Sequence, residues 1–210
     1  MSTTILQNFV VLEGLDGAGT TTQLRLLSER LTREGRPYTA TWEPTDGAIG
    51  KMLRGILART VKAHPCTIAL LYAADRSEHV RDPRSGIEAR TRQGELVICD
   101  RYLFSSLAYQ SLECGDEYVL ALNSGFPLPE TLIFLDTPVE VCQERLAERR
   151  SQELYDGAAF QGRVREAYLR AIERYASVNM RVSLVDGDRP AGLIHDEIWK
   201  VIEGMPITGV

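Results

Sequence analysis

Short apolar runs and longer stretches of helical periodicity alternate along the chain. Five runs read as buried strands: FVVLE at 9–13, YTATW at 38–42, ELVICD at 95–100, TLIFLD at 131–136 and VSLVD at 182–186. Several of them end in an acidic residue. Between them, apolar residues recur at helical spacing over 22–31, 67–80, 137–150, 160–176 and 192–203. The fourth strand is followed by Thr137-Pro138, a helix-start signal. Strand alternating with helix predicts an α/β fold of three layers, a five-stranded parallel sheet with helices on both faces. No linker rich in Pro, Gly or Ser and no repeat interrupts the pattern, so one domain over 1–210 is expected. A polar stretch at about 149–158 predicts a short lid, and 204–210 a loose tail.

In sheets of this kind ligands bind beyond the carboxyl ends of the strands. That rule selects four places: the loop after Glu13, WEPTDG after the second strand, CDRY after the third and LDTP after the fourth.

The first place holds the most specific pattern. Gly14 and Gly19 stand five apart and Thr21 follows, as in a phosphate-binding loop between strand and helix. Backbone N–H groups of such a turn form an anion nest, and Gly14, Gly17 and Gly19 let them approach phosphates closely. The Thr21 hydroxyl would then serve Mg²⁺. The alternative is a plain glycine-rich connection. The lysine of the pattern is replaced by Thr20, which is short and neutral. One lost charged hydrogen bond is worth roughly 1.5–3 kcal/mol, within reach of a repositioned arginine.

The remaining motifs each carry two readings. Asp100 at the end of the third strand suits a Mg²⁺ shell, with Arg101 beside it over phosphates; the alternative is a surface pair capping a helix. Tyr72 and Arg76 lie four apart and share a helix face, which suits stacking on a base and bonding its edge; otherwise they are a core tyrosine and a surface arginine. Arg145, Arg149 and Arg150 accompany a helix that runs into the polar stretch, either closing over ATP or complementing a solvated helix end.

Composition narrows the class. The 210 residues are 44% hydrophobic and 25% charged, with net charge -5. An acidic chain argues against a general nucleic-acid or anionic-membrane binder. Of 24 basic residues only Lys51, Lys62 and Lys200 are lysines, a skew that suits phosphate contacts or reflects bias. Cys66, Cys99, Cys114 and Cys142 form no C-x-x-C pair, so reduced thiols in a cytoplasmic protein are expected. No apolar run approaches the length of a membrane span.

Taken together, EGLDGAG-TTQ, LLYAADR--HV and VICDRYLFSSLAYQ resemble three signatures of the thymidylate kinases, a branch of the P-loop nucleoside monophosphate kinases, in order and at the right spacing. The resemblance spans about Phe9 to Asp186. It implies the P-loop kinase fold, transfer of phosphate from ATP with Mg²⁺ to dTMP, and a homodimer. It also implies roles residue by residue. Gly14, Gly17, Ala18, Gly19, Thr20, Thr21, Thr22 and the lid's Arg149 would hold ATP. Thr21 and Asp100 would serve the metal. Asp16 would take the deoxyribose 3′-hydroxyl, Tyr72 would stack on thymine and Arg76 would bond its edge. Ser106 and Gln110 would line the base pocket, with Tyr109 under the sugar and Glu43 on the acceptor side. Arg101 and the lid's Arg150 would carry the catalytic charge, with Asp100. Relatives that lack the lid arginine carry a basic residue at the Gly17 place, so this chain resembles the lid-arginine form.

Two departures stand out. Thr20 replaces the loop lysine, and Trp42-Glu43-Pro44 stands where the family often has Arg-Glu-Pro. Lys51 or Arg54 would be the substitute cation for the acceptor phosphate. The alternatives to a dTMP kinase are a catalytically weak or inactive nucleotide-binding relative, or a kinase for another deoxynucleoside monophosphate.

Overall fold

The computed structural model describes residues 4–147 and 153–205. The chain runs β1 (Ile5–Gly14), α1 (Thr20–Arg33), β2 (Tyr38–Trp42), α2 (Ala48–Leu57), α3 (Pro65–Arg81), α4 (Ile87–Arg92) and β3 (Leu96–Asp100). It continues through α5 (Leu103–Tyr109), α6 (Ser111–Cys114), α7 (Asp116–Asn123), β4 (Leu128–Asp136), α8 (Val139–Ala147), α9 (Ala158–Arg174), β5 (Arg181–Asp186) and α10 (Ala191–Ile202). The five strands form one parallel sheet in the order β2-β3-β1-β4-β5. β1 is central, which is why Phe9 to Leu12 is a continuous apolar run with no exposed face. Helices cover the sheet: α1 packs on α10, and α5 packs on α9.

Chain order reverses at β1, between β3 on one side and β4 on the other, so the crevice at its carboxyl end is the expected ligand position. Register brings the motifs abreast there. Leu12 and Trp42 both pair with Asp100, and Gly14 pairs with Leu135.

Several boundaries differ from the sequence pattern. β1 begins at Ile5 and β4 at Leu128, because Ile5–Leu6 pairs with Leu128–Pro129 before a register shift. Polar Gln7 and Asn8 break the apolar run that would have revealed it. α2 was not legible because Gly50 and Gly55 interrupt its pattern, yet Leu53 and Ile56 bury one face beside Ile68 of α3. Within the stretch from 204 expected as a loose tail, the Met205 side chain packs into the core and its carbonyl accepts from Arg36 at 3.3 Å, while residues 206–210 lie outside the described residues.

Candidate active site

The loop after β1 turns directly into α1. Gly17 and Gly19 have φ of 87° and 103°, values at which a side chain is strained. A Cβ on Gly17 would also stand 2.6 Å from the Cys142 carbonyl of α8. The loop is therefore pressed against α8, and a basic residue has no room at Gly17. Thr20 is buried at the start of α1, and Thr21 and Thr22 are exposed.

Thr21 Oγ1 donates to Asp100 Oδ2 at 2.6 Å. Asp100 is buried, and its Oδ1 has no hydrogen-bond partner among the described residues. An unpartnered carboxylate oxygen beside a hydroxyl, at the end of a phosphate loop, is the donor set a hard divalent cation takes. These two residues fit Mg²⁺.

Arg101 follows immediately, with φ of 71°, a rare value for a residue with a Cβ. Its Nη2 lies 2.7 Å from Asp16 Oδ1. Its Nη1 donates to the Gly14 carbonyl at 3.0 Å, Tyr168 Oη at 3.2 Å and Ser105 Oγ at 3.3 Å. Burial disfavours its charge, but Asp16 and the phenols of Tyr109 and Tyr168 raise its pKa further above the usual range. Asp16 Oδ2 also accepts from Tyr109 Oη and from Gln161 Nε2, each at 3.0 Å.

At the other end stand Tyr72, Arg76, Ser106 and Gln110. Arg76 is not the surface arginine of the simpler reading: it is fully buried. Its Nε donates to Glu43 Oε2 at 2.9 Å and its Nη2 to Ser106 Oγ at 3.0 Å; Nη1 donates to Asn123 Oδ1. Glu43 Oε1 faces His79 Nδ1 at 3.0 Å, so both its oxygens serve α3. Asp75 accepts from the Thr45 amide and hydroxyl at 2.7 Å each, which pins the loop after β2 to α3. Gln110 Oε1 is buried with no partner among the described residues.

These two ends share one cavity of about 880 Å³, the size of a nucleotide site. Asp16, Thr21, Asp100, Arg101, Tyr72 and Gln110 all line it. Of the basic residues near the loop, Arg101 donates to the Gly14 carbonyl. Arg145 also lines the cavity and contacts the loop, donating to the Ala18 carbonyl at 3.2 Å and to that of Gly187 at 3.0 Å. Arg54 lines the cavity beside Trp42, whereas Lys51 is exposed and does not line it. Arg149 and Arg150 lie outside the described residues.

The chain matches the Thymidylate kinase family over residues 12–198. It belongs to the thymidylate kinase family. A putative thymidylate kinase from Treponema pallidum is 41% identical over 92% of this chain and 94% of its own. A probable thymidylate kinase from Thermococcus onnurineus is 38% identical over 93% of this chain and 97% of its own. The solved thymidylate kinase of Candida albicans shares the fold, with a TM-score of 0.78 at 22% identity over 94% of this chain and 91% of that one.

In and around the cavity the fold also brings together residues that local patterns did not single out. Gln161 is buried and bonds both Asp16 and the Tyr155 carbonyl. Tyr155 stacks on Phe160 with centroids 5.2 Å apart and lines the cavity. Tyr168 and Glu13 sit behind Arg101. The one available signal was Glu13 itself: an acid ending a fully apolar run had to find partners within the fold.

Proposed function

We propose that the protein transfers a phosphoryl group from ATP, with Mg²⁺, to dTMP, giving dTDP for deoxynucleotide synthesis. The observation that carries this is Arg101, which lies between a phosphate loop and a base-sized pocket within one cavity. The reaction needs two phosphates in line and their charge neutralised, with little covalent work from the protein. The loop's backbone amides would take the donor phosphates. Asp100 and Thr21 would hold Mg²⁺, which when bound supplies charge neutralisation between the phosphates. Arg101, kept extended by Asp16 and the Gly14 carbonyl, would cover the transferring group. Tyr72 would stack on thymine, and the unpartnered Gln110 carbonyl is an acceptor suited to an N–H on the pyrimidine edge. Asp16 and Tyr109 would meet the sugar, and Arg54 would take the acceptor phosphate where Trp42 supplies no charge. From the sequence, Arg149 and Arg150 would add charge over ATP.

The test is purified protein with ATP, Mg²⁺ and a panel of dTMP, dUMP, dCMP and dGMP, followed by ADP release. Turnover selective for dTMP supports the proposal. Tight binding of both nucleotides without turnover would establish a non-catalytic relative, and selectivity for another acceptor would move the assignment to that nucleotide.

A further inference from the structure

Glu13 lies in the core with no exposure, and no ligand-facing role follows from its position. Its carboxylate nevertheless collects four donors. Oε1 accepts the amides of Tyr102 at 2.8 Å and Ser105 at 3.1 Å; Oε2 accepts the hydroxyls of Ser105 at 2.6 Å and Tyr168 at 2.9 Å. Those same two hydroxyl oxygens are the acceptors of Arg101 Nη1. They also stand 2.8 Å from each other.

We propose that Glu13 is a positioning residue for Arg101, acting through the hydroxyls of Ser105 and Tyr168. The inference rests on the dTMP kinase reading. Two hydroxyls this close can each donate to the other, to Glu13, or rotate toward Arg101. An ionised carboxylate only accepts, so it draws both hydrogens to itself. Their lone pairs then face Arg101 Nη1, and the guanidinium meets only acceptors on that side. The same carboxylate anchors the backbone beyond Arg101. The unusual φ of 71° at Arg101 is followed directly by the Tyr102 amide, which donates to Glu13, while the Arg101 amide is held by the Leu12 carbonyl at 2.9 Å. Glu13 thus fixes both where the arginine leaves the chain and which way its Nη1 edge is held. Asp16 holds the Nη2 edge independently.

Glu13→Gln keeps the shape but adds an N–H, which turns one hydroxyl hydrogen toward Arg101. The expected result is a fall in kcat for dTMP of at least about tenfold, with the ATP dissociation constant changed less than about threefold, since the loop contacts are untouched. Ser105→Ala and Tyr168→Phe should each give part of that fall, and the double variant should approach it. A second readout needs no turnover. In arginine-side-chain NMR the two Nη groups of Arg101, assigned with Arg101→Lys, should be separately resolved in the wild type and averaged by rotation in Glu13→Gln. Unchanged kcat and unchanged Arg101 rotation in a folded Glu13→Gln protein would overturn the inference. So would an equal loss of ATP binding and kcat, which marks a merely structural role. If the wild type fails to phosphorylate dTMP, the functional reading falls, and the NMR comparison still decides whether Glu13 positions Arg101.

Discussion

Thr21 Oγ1 and Asp100 Oδ2 lie 2.6 Å apart although 79 residues separate them in the chain. The parallel pairing of β1 with β3 causes this, because Leu12 stands opposite Asp100 and the phosphate loop starts two residues later. Replacing Asp100 by Asn keeps the hydrogen bond to Thr21 and removes the charge. The expected result is a half-saturating Mg²⁺ concentration about 10–100-fold higher in a titration of activity. An unchanged half-saturation would exclude Asp100 as a metal ligand.

Thr20 marks the loop's missing charge. Thr20→Lys should tighten ATP about tenfold, near the lower end of what one charged hydrogen bond contributes, because Arg101 and Arg145 already contact the loop. Isothermal calorimetry of ATP against both proteins measures it. A Thr20→Lys protein that binds ATP no tighter would show that the loop does not want for a cation.

Gly17 tests the fit of the loop against α8. Gly17→Ala adds a Cβ 2.6 Å from the Cys142 carbonyl at a φ of 87°. ATP affinity should fall more than about tenfold as the loop shifts, taking left-handed strain of roughly 1–2 kcal/mol together with the clash. Binding of dTMP should change less. Equal losses of both would show that the two halves of the cavity are not independent.

The buried pair of Arg76 and Glu43 has Nη2 and Oε2 at 2.8 Å and should contribute to stability. Arg76→Met leaves the Glu43 charge buried with only His79 beside it. Thermal or denaturant unfolding should show a loss of roughly 3–5 kcal/mol. A loss under 1 kcal/mol would show that the pair contributes little to the fold.

Stability should also report Glu13 directly. Burial pushes its pKa from 4.5 up to about 7, while Arg101 and the hydrogen bonds from Ser105, Tyr102 and Tyr168 pull it down. A carboxyl with a raised folded pKa binds a proton more readily when folded. Its contribution is therefore fully present below about pH 4.5 and is lost as pH rises to about 7. The span is on the order of 3 kcal/mol. The unfolding midpoint of Glu13→Gln should gain on the wild type between pH 5 and pH 8, cancelling this single group's slope. Parallel profiles would show that Glu13 titrates normally.

Much of the architecture follows from local chemistry. Short apolar runs bounded by turn signals fit strands buried on both faces, and those at 9–13, 95–100 and 131–136 are the three central strands of the sheet. Glycines at fixed spacing before a helix mark the phosphate loop, where Gly19 takes a φ of 103° that residues with a side chain rarely adopt. Elements with polar or glycine interruptions escaped that logic, as α2 and the first residues of β1 and β4 did.

What the sequence determined by itself was therefore the kind and order of elements, the loop, and the residue types at four strand ends. The tertiary structure alone decided which charges meet. Helix spacing alone favours a surface position for Arg76, yet Glu43, Ser106 and Asn123, drawn from three other segments, close around it. Tyr168 reaches Glu13 across 155 residues, and Gln161 reaches Asp16 across 145. Periodicity records only which face of an element is apolar. The partner of a buried polar group is set by how strands and helices pack in three dimensions, where chain separation carries no information.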